Sequence, residues 1–193
     1  SKFDSPIISY FRNFSAPIKW ETDTTFAEKL LILEFETDYF TIYDTIKGIY
    51  KNIICKRIDE KPDIRIENKL ITTLRSIIRN NKTLNLSLLS EILSIPTFTE
   101  IESEIKNIDP LKIYKTIDNL NYLFGTELKE ELLIKVKALD KNLNKVWPEG
   151  KDERKLIETI WKLLLHSKDE GIKSKIISYI DCNLMTLSKS ALN

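Results

Sequence analysis

Asp38-Tyr39-Phe40-Thr41-Ile42-Tyr43-Asp44-Thr45-Ile46-Lys47-Gly48-Ile49-Tyr50-Lys51-Asn52-Ile53-Ile54-Cys55-Lys56-Arg57 is the stretch on which the fold turns. Within it Phe40, Tyr43, Ile46, Ile49, Tyr50, Ile53 and Ile54 recur at intervals of three and four. That spacing lays an apolar stripe along one side of a helix and leaves the charged residues on the other. The same period continues on both sides. Thr24 to Phe35 carries Phe26, Leu30, Leu31 and Leu33; Ile66, Leu70, Leu74, Ile77 and Ile78 mark a third helix, and Leu84 through Leu93 a short fourth.

Helix boundaries are written into the next segments. Thr97-Phe98-Thr99-Glu100 has the capping-box pattern, in which Thr and Glu reciprocally satisfy the free amides of a first turn. Asp109-Pro110 is an N-cap followed by proline at the first helical position. The helix it starts shows Ile113, Ile117, Leu120 and Phe124, and Gly125 is expected to end it as a C′ glycine. Thr126 is expected to cap the next helix, carrying Leu128, Leu132, Leu133, Val136 and Leu139 until Trp147-Pro148-Glu149-Gly150 breaks it. Leu156, Ile160, Leu163 and Leu164 follow, then Ile172, Ile176, Ile177 and Ile180, then a last segment from Met185 to Leu192. Helices of about two to five turns on short connections form an antiparallel array, which closes as a bundle or stacks as a solenoid. No strict sequence period separates the two.

The first twenty residues differ. Ile7, Ile8, Tyr10 and Phe11 form a short β-prone run, and Phe14, Ala16, Ile18 and Trp20 alternate with Ser15, Pro17 and Lys19, the period of an extended chain. Two short strands make no stable sheet alone. They therefore pack on the helices, or their sheet lies in a longer protein. The absence of a leader and of an initiator Met favours a chain processed or cut from something longer, and the uncapped end after Leu192 fits a cut inside a structure. Such a cut would leave Ile176, Ile177, Ile180 and Leu184 as an uncovered, self-associating face.

Composition removes most chemistry. Of 193 residues, 42% are hydrophobic, too many for disorder, and no apolar run approaches the roughly 18 residues of a spanning helix. Four glycines argue against phosphate-cradling loops, and one histidine excludes a metal site built on imidazoles in the plural. Thirty Lys+Arg balance 29 Asp+Glu, which removes the electrostatic case for nucleic acid or an acidic membrane surface. Lys51, Lys56, Arg57, Lys173 and Lys175 are interleaved with acids and carry no stacking aromatics. Cys55 and Cys182 stand far apart without a C-x-x-C pair, which suits a reducing interior, so a cytoplasmic protein is expected. Asn-x-Ser/Thr triplets at Asn13, Asn81 and Asn85 are then chance occurrences.

No candidate site is complete. His166 follows Leu163-Leu164-Leu165 at a helix end, where it faces the negative end of the helix dipole. A Cys-His nucleophile needs a spatial pairing with Cys55 or Cys182 that nothing in the sequence supplies. Ser103-Glu104-Ile105-Lys106 has S-x-x-K spacing without its companion motifs. The pairs Glu100/Glu104 and Glu127/Glu131 are expected to face solvent, and the tyrosines and tryptophans to pack in the core.

Several segments resemble a known family in order along nearly the whole chain. Ser5-Pro6-Ile7-Ile8-Ser9-Tyr10-Phe11-Arg12-Asn13-Phe14-Ser15-Ala16-Pro17-Ile18-Lys19 looks like the P-x-x-S-x-x-R-x-F-S-A-P-V-K run of bacterial aminopeptidase N. Glu36-Thr37-Asp38-Tyr39-Phe40-Thr41-Ile42-Tyr43-Asp44 is similar to its N-D-x-F-x-R-W-D/E segment, with Ile42 for Arg and Tyr43 for Trp. Ile95-Pro96 through Glu100 with Ile108-Asp109-Pro110 resembles L-P-S-x-x-E followed by I-D-P. Thr126-Glu127-Leu128-Lys129-Glu130-Glu131-Leu132-Leu133 fits T-E-L-x-x-E-L-L, and Asn183-Leu184-Met185-Thr186 resembles N-N-M-T-D, with Leu187 in place of the acid.

The resemblance implies an all-α fold, antiparallel helix pairs stacked as an armadillo/HEAT-like α-solenoid behind a short extended β-type N-terminal segment. Residues 1–20 would end a β-sandwich domain, and 21–193 would form the first portion of a C-terminal helical domain. The full-length enzyme would be a zinc metallopeptidase of the gluzincin type that removes N-terminal residues from peptides. Its partners here would be the catalytic and β-sandwich domains of the same polypeptide and peptide substrates, with no nucleic acid and no membrane. The family's H-E-x-x-H, downstream Glu, G-x-M-E-N segment and catalytic Tyr have no counterparts in this sequence, so no catalytic, cofactor-binding or metal residue is expected and no zinc bound by this segment. Family members line an internal route with basic side chains; Arg154 lies in the matching helix, while a neighbouring basic position is Ile157. The rival reading is a stand-alone helical-repeat scaffold that binds a protein partner along a concave face.

Overall fold

Thr25 starts the first helix by the reciprocal device its sequence neighbourhood permits. Its hydroxyl accepts from the Glu28 amide at 3.3 Å, while the Glu28 carboxylate accepts from the Thr25 amide at 2.7 Å. Helix α1 then runs over Phe26–Phe35. Asp38 accepts from the Thr41 amide to open α2, Tyr39–Ile58. In the computed structural model, which describes residues 24–80, 85–102, 109–140 and 150–190 (the backbone alone at 140 and 181–190), seven further helices follow. They are α3 (Ile64–Asn80), α4 (Leu86–Leu93), α5 (Phe98–Glu102), α6 (Pro110–Glu127), α7 (Lys129–Asp140), α8 (Lys151–Leu165) and α9 (Glu170–Ser190). The β-type segment expected over 1–20 lies outside the described residues.

The described residues form the all-α solenoid that the resemblance implies. Helix α1 packs on α2 and α3, α2 on α4 and α6, and α3 on α7. Helix α8 is the hub, in contact with α4, α6, α7 and α9. Its buried residues Leu156, Ile157, Ile160, Trp161, Leu163 and Leu164 wrap more of its circumference than a single stripe does. The deciding stretch keeps its expected stripe from Ile46 onward, with Ile46, Ile49, Tyr50, Ile53 and Ile54 buried; at its start Ile42 is buried instead, Phe40 is exposed and Tyr43 half-buried. Within the core the Tyr50 hydroxyl donates to the Ile92 carbonyl of α4 at 2.7 Å, and its ring lies 6.0 Å from Phe124 of α6. Burial pushes the Tyr50 phenol well above its ordinary range, so it stays protonated as that donor.

Four expectations need correction. Gly125 does not end α6; the helix continues through Thr126 and Glu127, and the break falls at Leu128, buried between α6 and α7. Glycine is required there for space instead. A Cβ on Gly125 would collide with the Leu163 carbonyl oxygen of α8 and lie 3.2 Å from its carbon. The expected separate segment at Met185 is part of one continuous helix, α9. Of the isoleucines expected to be uncovered, Ile176 is buried, while Ile177 and Ile180 are exposed. The aromatic residues divide. Phe40 is 59% exposed and Tyr39, Tyr114 and Tyr122 are also exposed, because they sit on outward faces where they stack on each other or on a neighbour: Tyr39 on Tyr43, and Tyr114 on Phe98 at 4.7 Å.

Turns in this glycine-poor chain use other residues. Glu60 at φ 60° follows α2 and Lys168 at φ 58° follows α8, both in the left-handed region that glycine usually fills. Backbone bonds close both turns, Lys61 N–H to the Lys56 carbonyl at 2.8 Å and Lys168 N–H to the Leu165 carbonyl at 3.3 Å. Each side chain also meets a neighbour: Lys112 of α6 donates to Glu60 at 2.8 Å, and the Lys168 ammonium lies over the Tyr122 ring.

Two helical glycines yield opposite predictions. Gly48 is exposed in mid-α2, and a methyl group added there would meet nothing within 4 Å, so Gly48→Ala should raise stability by about 0.5–1 kcal/mol in urea unfolding. Gly125→Ala should lower it by about 1–3 kcal/mol, since backbone must move to admit the methyl. Equal effects at the two positions would show that the α6–α8 approach is not tight.

Candidate functional site

Each singled-out residue among those described has a definite place, and most are occupied structurally. His166 stands at the C-cap of α8, as its position in the sequence predicts, and its Nδ1 lies 3.0 Å from Asp118 Oδ1 on α6. Cys55 is half-buried on α2 and forms no disulfide among the described residues. The Cys182 side chain, Ser103, Glu104 and Lys106 lie outside the described residues. Asn85, the first residue of one glycosylation-like triplet, is the N-cap of α4, accepting from the Ser87 amide at 2.7 Å.

Glu100 behaves as the capping box requires. Its carboxylate accepts from the Thr97 amide and hydroxyl, both at 2.7 Å, and bonds Lys47 of α2 at 3.2 Å. Partial burial opposes ionisation, but the Thr97 bonds and the Lys47 charge outweigh it and hold the carboxyl below its usual range. Three of the five basic residues expected to be interleaved with acids have acidic partners in view: Lys56 with Asp63, Arg57 with Glu67, and Lys173 with Glu170.

Glu131 corrects the solvent-facing expectation for the Glu127/Glu131 pair. Glu127 is exposed, but Glu131 is 5% exposed and sits between α7 and α3. Arg75 Nε at 3.0 Å and Arg79 Nη2 at 2.6 Å both bond its Oε1, and Arg75 also donates to the Glu127 carbonyl. Glu67 is a second buried acid, which sequence reasoning passed over. Arg57 grips it with two bonds of 2.7 Å, tying α2 to α3. The signal for both was an acid one turn from apolar positions on a buried stripe, a pattern that acquires meaning only when an arginine faces it.

A third seam holds the α8–α9 turn against α6 and α7. Lys129 pairs with Asp169, whose other oxygen accepts from the Gly171 and Ile172 amides that begin α9. The Lys129 ammonium first, and those amides after it, hold the Asp169 carboxyl below its usual range. On α8, Arg154 Nη2 and Trp161 Nε1 are buried without a hydrogen-bond partner among the described residues. They are seven residues apart, about 10.5 Å along one face of the helix, and the Trp161 ring lies 5.8 Å from Tyr179.

Chemically these groups pair charges and cap helices. The one histidine lies beside Asp118, and among the described residues no three of His, Cys, Asp and Glu converge. No helix among them is long and apolar enough to cross a membrane.

The hub helix with stacked helices around it defines the class: an armadillo-type α-solenoid. A family model described as "Domain of unknown function (DUF3458_C) ARM repeats" matches residues 27–193, and the chain belongs to that family. Among solved structures its fold is similar to Legionella pneumophila aminopeptidase A, crystallised in complex with aspartic acid. The TM-score is 0.76 at 19% identity, over 90% of this chain and 21% of that one. The chain thus spans about a fifth of the length of that relative.

The seams differ in what their loss should cost. Glu131→Gln should cost about 1–3 kcal/mol, because two arginines lose their shared anion, whereas Arg79→Ala, removing a side chain that is 62% exposed, should cost under about 1 kcal/mol. Urea unfolding of both variants checks the ranking. Glu28, Glu60, Asp63, Glu100 and Asp169 all have depressed folded pKa values. Their contribution is full above the unfolded carboxylate range of about 4 and is lost as pH falls through the lower folded values. The urea midpoint should therefore fall as pH drops below that range, and fall less in Asp169→Asn.

Proposed function

We propose that this chain is the C-terminal helical portion of a zinc-dependent aminopeptidase of the N type, non-catalytic in itself, that limits which substrates reach the active site. The observation that carries the reading is the joint one: the ARM-repeat family model spans residues 27–193, and the same helices superpose on part of an aminopeptidase. The ordered motifs from Ser5 to Thr186 support the N type in particular.

In this reading hydrolysis by zinc-activated water belongs to polypeptide outside these 193 residues. The helical array contributes shape. A curved stack of helices closed over a catalytic domain leaves a narrow route, which admits the free end of a short peptide and excludes a folded protein. A rigid hub suits that task, since a wall that breathes would not discriminate by size. The tie between α3 and α7 and the pair joining α7 to the α8–α9 turn favour a single alignment of the helices. The partners are then the catalytic and β-sandwich domains of the same polypeptide and its peptide substrates, in the cytoplasm.

The test uses the chain itself. Incubated with added zinc and an amino-acid anilide, it should release no aniline above the blank and should retain no stoichiometric zinc after dialysis. Turnover with bound zinc would place catalysis within these residues and overturn the assignment.

A further inference from the structure

We draw no further inference here: the strongest candidate, the exposed apolar patch of Leu31, Phe35, Tyr39 and Phe40 where α1 turns into α2, is an unpartnered face, and nothing in the structure shows what covers it.

Discussion

The close approach of α6 to α8 at Gly125 is the constraint on which the rest of the array depends. Helix α8 is in contact with four others, and Gly125 against the Leu163 carbonyl is where one of them comes in at backbone distance. The approach sets the position of Phe124 beside Tyr50, so it also aligns α6 with α2. On the α4 side of α8 small polar residues do the same work, with the Ser90 and Thr159 hydroxyls 2.7 Å apart between the two helices. Tight packing at these points carries the dispersion and burial that a chain with few aromatic core residues needs.

Around this apolar hub, charge is used for registration. Buried Glu67 and Glu131 each face arginine, and both links join helices distant in sequence or separated by a turn. Ion pairs of this kind add little net stability over apolar residues, but removing one partner is costly, so they penalise a slipped helix more than they reward a correct one. The exposed pairs Lys155–Glu91 and Lys112–Glu60 repeat the pattern at lower energy along the outer faces. An array registered in this way is a wall. Many of its ionisable groups among the described residues are engaged with one another across helix seams.

Helix existence was legible because apolar residues recur at three and four from Phe26 to Ile180, and the starts at Thr97 and Asp109 were legible because caps are local chemistry. Helix ends were harder. Gly125 has the appearance of a C-cap, yet its role depends on Leu163, 38 residues away, which no local pattern reveals. Glu60 and Lys168 take left-handed backbone without being glycine, which no local residue type signals, although backbone bonds such as Lys61 N–H to the Lys56 carbonyl close the turn. Glu131 looked like half of a solvated acidic pair because its arginines come from α3. The place of His166 at a helix end followed from the apolar run before it, but its partner Asp118 did not. What was local could be read; what depended on a facing helix could not.

In the proposed cap role these helices shape access to an active site carried elsewhere in the same polypeptide. Purifying the complete polypeptide and comparing N-terminal residue release from a tripeptide with release from a folded protein sharing that N-terminal sequence tests it most directly. The cap role predicts one bound zinc, rapid release from the tripeptide, and at least a hundredfold slower release from the folded protein, a difference of about 2.7 kcal/mol in activation free energy. Equal rates on the two substrates, or a complete polypeptide without aminopeptidase activity, would contradict it.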